Sequence, residues 1–310
     1  MYPTPDNPGL GSFVHDQVQA LRRTGEVEVD VFSFPVRGAR AWINAGAALR
    51  RRHGADRYDI VHAHFGLSLW PALAAHGRAR AVTLHGTDLA HPRSRAITLA
   101  GLRTTDLVGP ASRYLADRIP RWAVSPAHVA VLPCGVELGR FSRIPRAEAR
   151  RALGLDPSGP YLLFPSDPAR PEKRHDLARQ VAGQVPLLTL KGVQPEQVST
   201  WINAANAVLV PSDREGFGLA VLEALACDVP VLATPVGIHP EALAGVAGTL
   251  CAPFDAVRWR EVVAPHLAVP DPRVNGRAHA EPFSADRMAA RVLDHWRRLL
   301  VGRGGREHRR

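Results

Sequence analysis

The stretch from Pro211 to Pro240, PSDREGFGLAVLEALACDVPVLATPVGIHP, constrains this chain most. Ala207-Val208-Leu209-Val210 leads into it as a short, uniformly apolar run, the pattern of a parallel strand buried on both faces. A polar loop, Ser212 to Gly218, comes next, then Leu219 to Ala226, rich in the strong helix formers Ala and Leu. Val229 to Ala233 reads as a second strand. This is an α/β unit, and its loop carries the chemistry. Gly216 and Gly218 let backbone approach a ligand where a Cβ would obstruct it. The helix N-terminus behind them offers unpaired amides and the positive end of a dipole, a seat for phosphate. Glu215 and Glu223 bracket that seat, and carboxylates accept hydrogen bonds from hydroxyls. Phosphate donors between two hydroxyl acceptors point to a diphosphate between two sugars, as in a nucleotide-sugar. The plain alternative is two solvated glutamates on an ordinary helix. Against it, Glu223 stands among Val221, Leu222, Ala224, Leu225 and Ala226, where a carboxylate is costly unless partnered.

Glu215 and Glu223, with seven residues between them, resemble the E-x7-E motif of retaining glycosyltransferases of the GT-B fold. The Gly-Phe-Gly stretch and the Val-Pro-Val-Leu-Ala-Thr strand are similar to those of the large family-4 group. The resemblance covers nearly the whole chain, most strongly Pro160 to Pro240 and least Ala39 to Arg57. It implies two Rossmann-like, doubly wound α/β domains facing across a cleft.

Composition narrows the alternatives. A chain of 310 residues, 45% of them hydrophobic, can bury two sizeable cores. No apolar run approaches the roughly 20 residues of a membrane span. No charged segment followed by an apolar one opens the chain as a secretory signal would. Cys134, Cys227 and Cys251 are scattered without metal-site or disulfide spacing, which fits a reducing cytoplasm. The net charge is +10, yet only Lys173 and Lys191 are lysines, so the excess is an arginine bias. No basic recognition helix or aromatic RNA-binding signature accompanies it, and nucleic acid is not an expected partner. Anionic lipid or phosphorylated substrates suit the charge better.

Read in order, Pro3 to Gly11 is a glycine- and proline-rich loop, with Pro5 and Pro8 inside it. Ser12 is the expected cap of a helix carrying Val14, Val18 and Leu21. Val27 to Phe34 alternates as a strand. A Rossmann-like domain normally feeds its first glycine loop from a strand. Met1 occupies the place where the family carries that strand, so the first strand of the N-terminal domain is expected to be absent. Ala39 to His53 reads as an amphipathic helix, with Trp42, Ile43 and Leu49 beside Arg37, Arg40, Arg50, Arg51 and Arg52. Its second reading is a patch for an anionic membrane surface. Tyr58 to His64 is a strand with His62 and His64 on one face, and His85 ends the next strand, Ala81 to Leu84. Three histidines raise zinc, but no Cys or carboxylate completes a ligand spacing, and no metal is expected. Leu107 to Gly109 and Val129 to Leu132 read as strands, and Ala111 to Arg121 as a helix. The expected domains are 1–141 and 142–310, with a terminal helix over 284–301 returning to brace the first. Gly302 to Arg310 reads as a basic, disordered tail.

The resemblance implies further roles. His85-Gly86-Thr87-Asp88 resembles the family's HG-x-D segment, whose His contacts the transferred sugar or the acceptor. Lys173 matches a family lysine on the nucleotide diphosphate. The Gly-Arg pair that precedes it in the family does not match, its positions being held by Asp167 and Pro168, and Arg170, from a shifted position outside that motif, is the expected substitute cation. Glu223 is expected on the ribose hydroxyls and Glu215 on the transferred sugar. The amides of Phe217 and Gly218, with Gly216 and Gly11, line the diphosphate. There is no Asp-x-Asp pair to hold a divalent metal on it, no P-loop and no G-x-S-x-G elbow. The implied reaction is metal-independent and needs no cofactor. A hexose moves with retention from a UDP- or GDP-sugar to a hydroxyl of a cell-envelope, glycolipid or small-molecule acceptor. The expected place is the cytoplasm, with peripheral contact to the inner membrane face as an option. Two rivals stay open: an epimerase or hydrolase of nucleotide-sugars on the same fold, and a catalytically impaired binding or partner protein.

Overall fold

The computed structural model describes residues 2–4, 9–35 and 38–307, with backbone alone for Ala39 and 303–307. Met1, Pro5, Pro8 and Arg37 therefore lie outside the described residues. The chain divides into two compact units, Met1–Cys134 with Asp286–Arg310, and Gly135–Ala285.

The first unit holds a three-stranded parallel sheet in the order β1 (Arg57–His64), β2 (His76–Leu84), β3 (Leu107–Pro110). His62 is level with Ala81, and His64 with Thr83. Gly11 adopts φ 70° and stands at the cap of the Ser12–Arg23 helix, with no side-chain cap. Ser12, the expected cap, is instead the first helical residue. The left-handed turn into the helix favours glycine.

Three further expectations change here. Val27 to Phe34 forms no strand, because alternation alone supplies no neighbour for its amides and carbonyls. The segment is held through contacts off its own ladder: Arg22 donates to the Val29 carbonyl at 2.7 Å and Tyr58 to Asp30 at 2.9 Å. Val129 to Leu132 lies beside β3 and donates twice to it, from Ala130 to Val108 and from Leu132 to Pro110, both at 3.0 Å, yet completes only an isolated bridge. The helix expected over Ala111 to Arg121 shrinks to Arg113–Ala116, capped by Ser112. Pro120 cannot donate to a continuing helix. Ahead of the Ser12–Arg23 helix, no strand is present among the described residues.

The second unit is built on a five-stranded parallel sheet, with the outer strand on one side being the second of the five in chain order. The strands are β4 (Leu162–Phe164), β5 (Leu187–Thr189), β6 (Ala207–Val210), β7 (Val231–Ala233) and β8 (Leu250–Cys251). Successive strand residues face opposite ways. Leu162, Phe164, Leu209 and Leu232 pack with Ala178, Val181, Trp259 and Val263 from the His175–Ala182 and Ala256–Ala268 helices. Leu163, Val208 and Val231 are buried on the other face. Covering both faces explains the unbroken apolar runs. The chain moves from β4 outward to β5, then returns to the other side of β4 as β6. The strand order reverses between β4 and β6, so the loops leaving their carboxyl ends diverge. Such a switch point is where open α/β sheets bind ligands.

Residues 135–141 belong to the second unit. Val136 donates to the Phe283 carbonyl at 2.8 Å and accepts from Ala285 at 2.9 Å. The terminal helix runs Ala285–Glu307, past the expected end at Val301 and through most of the segment read as a disordered tail. Residues 308–310 lie outside the described residues.

Candidate functional site

In the second unit the β4 loop, residues 165–174, and the β6 loop, residues 211–218, are stitched together at the switch point. Asp213 donates its amide to the Glu172 carbonyl at 3.0 Å. Arg174 reaches Asp213 at 3.1 Å. Lys173 turns inward, its Nζ 2.6 and 2.7 Å from the two oxygens of Glu215. The Ser212 hydroxyl donates to Glu215 Oε1 at 2.8 Å. Burial pushes the Glu215 carboxyl up, but the charge of Lys173 and the hydrogen bonds from Lys173 and Ser212 outweigh it. The net result is a carboxylate held below its ordinary range. Arg170 behaves differently. Its guanidinium is largely exposed and engages Glu172 Oε1 at 2.8 Å.

The Leu219–Ala226 helix starts directly after this loop. Gly218 takes the cap position at φ 107°, and no side chain caps the helix. Val221, Leu222, Ala224, Leu225 and Ala226 are buried, as their composition requires, and Glu223 is half-buried among them. Phe217 is buried, and Gly216 is half-buried. Ile238 donates to the Phe217 carbonyl at 2.7 Å. Gly237, at φ 60°, has no room for a Cβ, which would lie 2.2 Å from the Phe217 carbonyl oxygen. The 235–239 loop is thus pressed onto the glutamate loop. Thr234 reinforces it by donating to the Ser212 carbonyl at 2.5 Å.

In the first unit, Asp88 is buried and gathers three backbone amides: His85 at 2.6 Å, Gly66 at 3.0 Å and Gly86 at 3.2 Å. It thereby fixes the turns after β1 and β2 and presents His85. His85 Nε2 lies 3.0 Å from His64 Nδ1, and its ring packs between Phe13 and Phe65 at 4.6 and 4.7 Å. His62 and His64 stack at 5.0 Å, on one face as alternation requires. The Trp296 indole can only donate, and it does so to His62 Nδ1 at 3.2 Å. His62 therefore carries its proton on Nε2 and donates to Thr83 at 2.8 Å. Burial lowers all three histidines, His62 to about 4 and His85 to about 3. Among the described residues, no group of three or more His, Cys, Asp or Glu is placed to hold a metal ion.

The structure thus brings Lys173, Glu215 and the Gly216–Gly218 turn together in the second unit, with Glu223 one turn into the helix behind them. Gly11 and His85 belong to the first unit. Sequence reasoning missed Ser212, Thr234 and His239. A hydroxyl three residues before Glu215 was a signal for Ser212. Nothing local signals that His239 is buried.

Residues 165–267 match the family profile described as Glycosyl transferases group 1, and residues 31–140 match that of Glycosyltransferase Family 4. A D-inositol 3-phosphate glycosyltransferase from Actinosynnema mirum is 31% identical, across 78% of this chain and 73% of its own length. The chain belongs to glycosyltransferase family 4. Solved structures agree on the fold of this glycosyltransferase. Sucrose-phosphate synthase from Thermosynechococcus elongatus superposes with a TM-score of 0.72 at 21% identity, covering 95% of this chain and 94% of that one. Anabaena HepE in complex with UDP and glucose gives 0.64 at 16% identity, covering 89% and 88%. The glycosyltransferase has the GT-B fold, with two Rossmann-like domains.

Proposed function

We propose that this glycosyltransferase moves a hexose from a UDP- or GDP-sugar to an acceptor hydroxyl, with retention at the anomeric carbon and without a metal. The observation that carries the reading is the Lys173–Glu215 pair at the switch point, beside a helix N-terminus left open by Gly218. An ammonium has three donors, and Lys173 spends its contacts here on the two Glu215 oxygens. The pair holds the cation in place before the donor arrives. As the glycosidic bond breaks, charge grows on the leaving diphosphate. Lys173 and the amides of Phe217 and Gly218 stabilise that charge without reorganising. Glu215 takes hydroxyls of the transferred sugar, and Glu223 takes the ribose. Arg170 is recruitable, because its exposed pair with Glu172 is worth no more than about 1 kcal/mol. The leaving diphosphate accepts the acceptor's proton, so no second carboxylate is needed. Within the first unit, Gly11 and His85 are the residues assigned to substrate contact in this reading.

A polyol phosphate is the first acceptor to test, because the A. mirum relative is named for inositol 3-phosphate. The net charge of +10 suits an anionic acceptor. The experiment incubates the protein with UDP-glucose or GDP-mannose and inositol 3-phosphate, with and without a chelator. Anomeric proton signals identify the product. An α-linked product insensitive to chelator is expected. An inverted product, or chelator-abolished transfer, overturns the reading. Sugar release without a new linkage would favour the hydrolase.

The reading includes a cytoplasmic site of action and peripheral contact with an anionic membrane. The Ala39–His53 helix has no acidic residue. Beside it lies a groove lined by Trp42, Ile43, Gly46, Arg50, Trp70 and Pro71, and Ile43 is 74% exposed. Among the described residues no helix is long and apolar enough to cross a membrane. Flotation with phosphatidylglycerol vesicles, lost for Arg50→Glu with Ile43→Ser, tests the contact.

A further inference from the structure

His239 is not among the groups assigned above, and its environment is unusual. The side chain is fully buried. Its Nδ1 lies 2.8 Å from the Thr234 carbonyl oxygen, which can only accept, so Nδ1 carries a proton. A neutral ring then presents a bare lone pair at Nε2. That atom is buried and meets no hydrogen-bond partner. Buried acceptors without partners are uncommon in folded proteins and call for a reason.

The ring lies against the start of the Leu219–Ala226 helix. A Cβ placed on Gly218 would stand 2.5 Å from His239 Nε2 and 2.7 Å from Cδ2. The loop that carries His239 is clamped here by the Ile238 to Phe217 hydrogen bond of 2.7 Å, so the ring cannot drift away. Two charged groups act on it. Glu215 from the β6 loop favours its protonation, and Lys173 from the β4 loop opposes it. The two are paired with each other at 2.6 Å, and burial outweighs the pull of Glu215 and of the Thr234 hydrogen bond and keeps the ring neutral.

We propose that His239 is a proton-linked positioning residue. It takes one proton from solvent onto Nε2 when the diphosphate of a nucleotide-sugar settles at the helix N-terminus, and it returns that proton when the diphosphate leaves. Nδ1 keeps its proton throughout, no covalent bond changes, and the ring gains one positive charge. The inference rests on the donor-site reading given above. Its physical basis is the charge balance. A diphosphate diester brings two negative charges to a site whose resident ions already cancel. A buried, unpaired lone pair beside that site is the cheapest place to bind a compensating proton. The imidazolium then lies beneath the glycine turn as a second cation, where Lys173 is the first.

The test uses UDP-glucose and GDP-mannose, whose diester diphosphates have no group titrating near pH 6. Free diphosphates do, and would obscure the proton count. Calorimetric titrations are run at pH 7.5 in buffers of different ionisation enthalpy, with the wild type and His239→Asn. Asparagine can still donate to the Thr234 carbonyl but cannot titrate. The wild type should take up a proton on binding, up to one per site. Its affinity should weaken as pH rises, by up to tenfold per unit. His239→Asn should bind with no uptake and a flat pH profile. Equal uptake in the variant, or none in the wild type while the sugar nucleotide binds, overturns the proposal and leaves the donor site standing. No binding of either nucleotide-sugar overturns both. If the variant does not fold, nitrogen-15 shifts of His239 in the wild type read the same proton. Nε2 must move from the bare to the protonated range on adding ligand. An unmoved Nε2 signal refutes the proposal.

Discussion

Lys173 and Glu215 stand 42 residues apart in the chain, yet Nζ meets both carboxylate oxygens, at 2.6 and 2.7 Å. Both side chains are largely buried, at 16% and 9% exposure. Breaking a buried pair from one side leaves an uncompensated charge, typically at a cost of about 3–5 kcal/mol. Lys173→Met should therefore lower the unfolding free energy by roughly that amount and also abolish nucleotide-sugar binding. The double variant Lys173→Met, Glu215→Leu should recover much of the stability and none of the binding. Urea denaturation and calorimetry check the two halves separately. Full binding by Lys173→Met would remove the lysine from the site.

The acid limb of stability follows from two sets of groups. Glu215 is depressed in the folded protein, so the unfolded carboxyl protonates first as pH falls. Its contribution is complete above the ordinary value of 4.5 and disappears as pH drops through its lower folded value. His62, His64 and His85 are also depressed, from an ordinary 6.5, and the unfolded state binds their protons first. Stability should thus begin to fall below about pH 6.5, before the depressed Glu215 carboxyl titrates. His62→Asn should flatten the curve between pH 6.5 and about 4, the value to which burial lowers that ring. A urea midpoint independent of pH over that interval in the wild type would contradict the burial argument.

Gly218 should not tolerate alanine. Its φ of 107° is strained for any L side chain, and the new Cβ would meet His239 Nε2 at 2.5 Å. We expect a loss of about 1–3 kcal/mol from the backbone alone. Shortening the ring in Gly218→Ala, His239→Ala should relieve the contact but not the backbone strain. Thermal unfolding of the single and double variants measures the division.

Asp88→Ala should leave the amides of His85, Gly66 and Gly86 without their shared acceptor. A loss on the order of 3 kcal/mol is expected, with faster amide exchange at those positions. Asp88→Asn keeps one acceptor oxygen and should fall between. Exchange that is unchanged at His85 would show that the turn is held by other means.

Much of the fold was legible because periodicity and composition are local. The run Ala207–Val210 and the helix Leu219–Ala226 have the bounds their residues dictate. Val27 to Phe34 alternates and yet forms no strand, because alternation describes a strand's faces, not its neighbour. The helix expected from Ala111 stops at Ala116, because Pro120 has no amide hydrogen to donate to a further turn.

By itself the sequence determined the α/β class, the family-4 resemblance, and the local frame of Glu215, Gly216, Gly218 and Glu223. Each depends on residues a few positions apart. Only the tertiary structure decided which charge meets which. It turned Lys173 onto Glu215, left Arg170 to Glu172 at the surface, and laid His239 against Gly218. Pairing across loops is set by where the sheet order reverses, between β4 and β6, and strand order is not written at any one position in the chain.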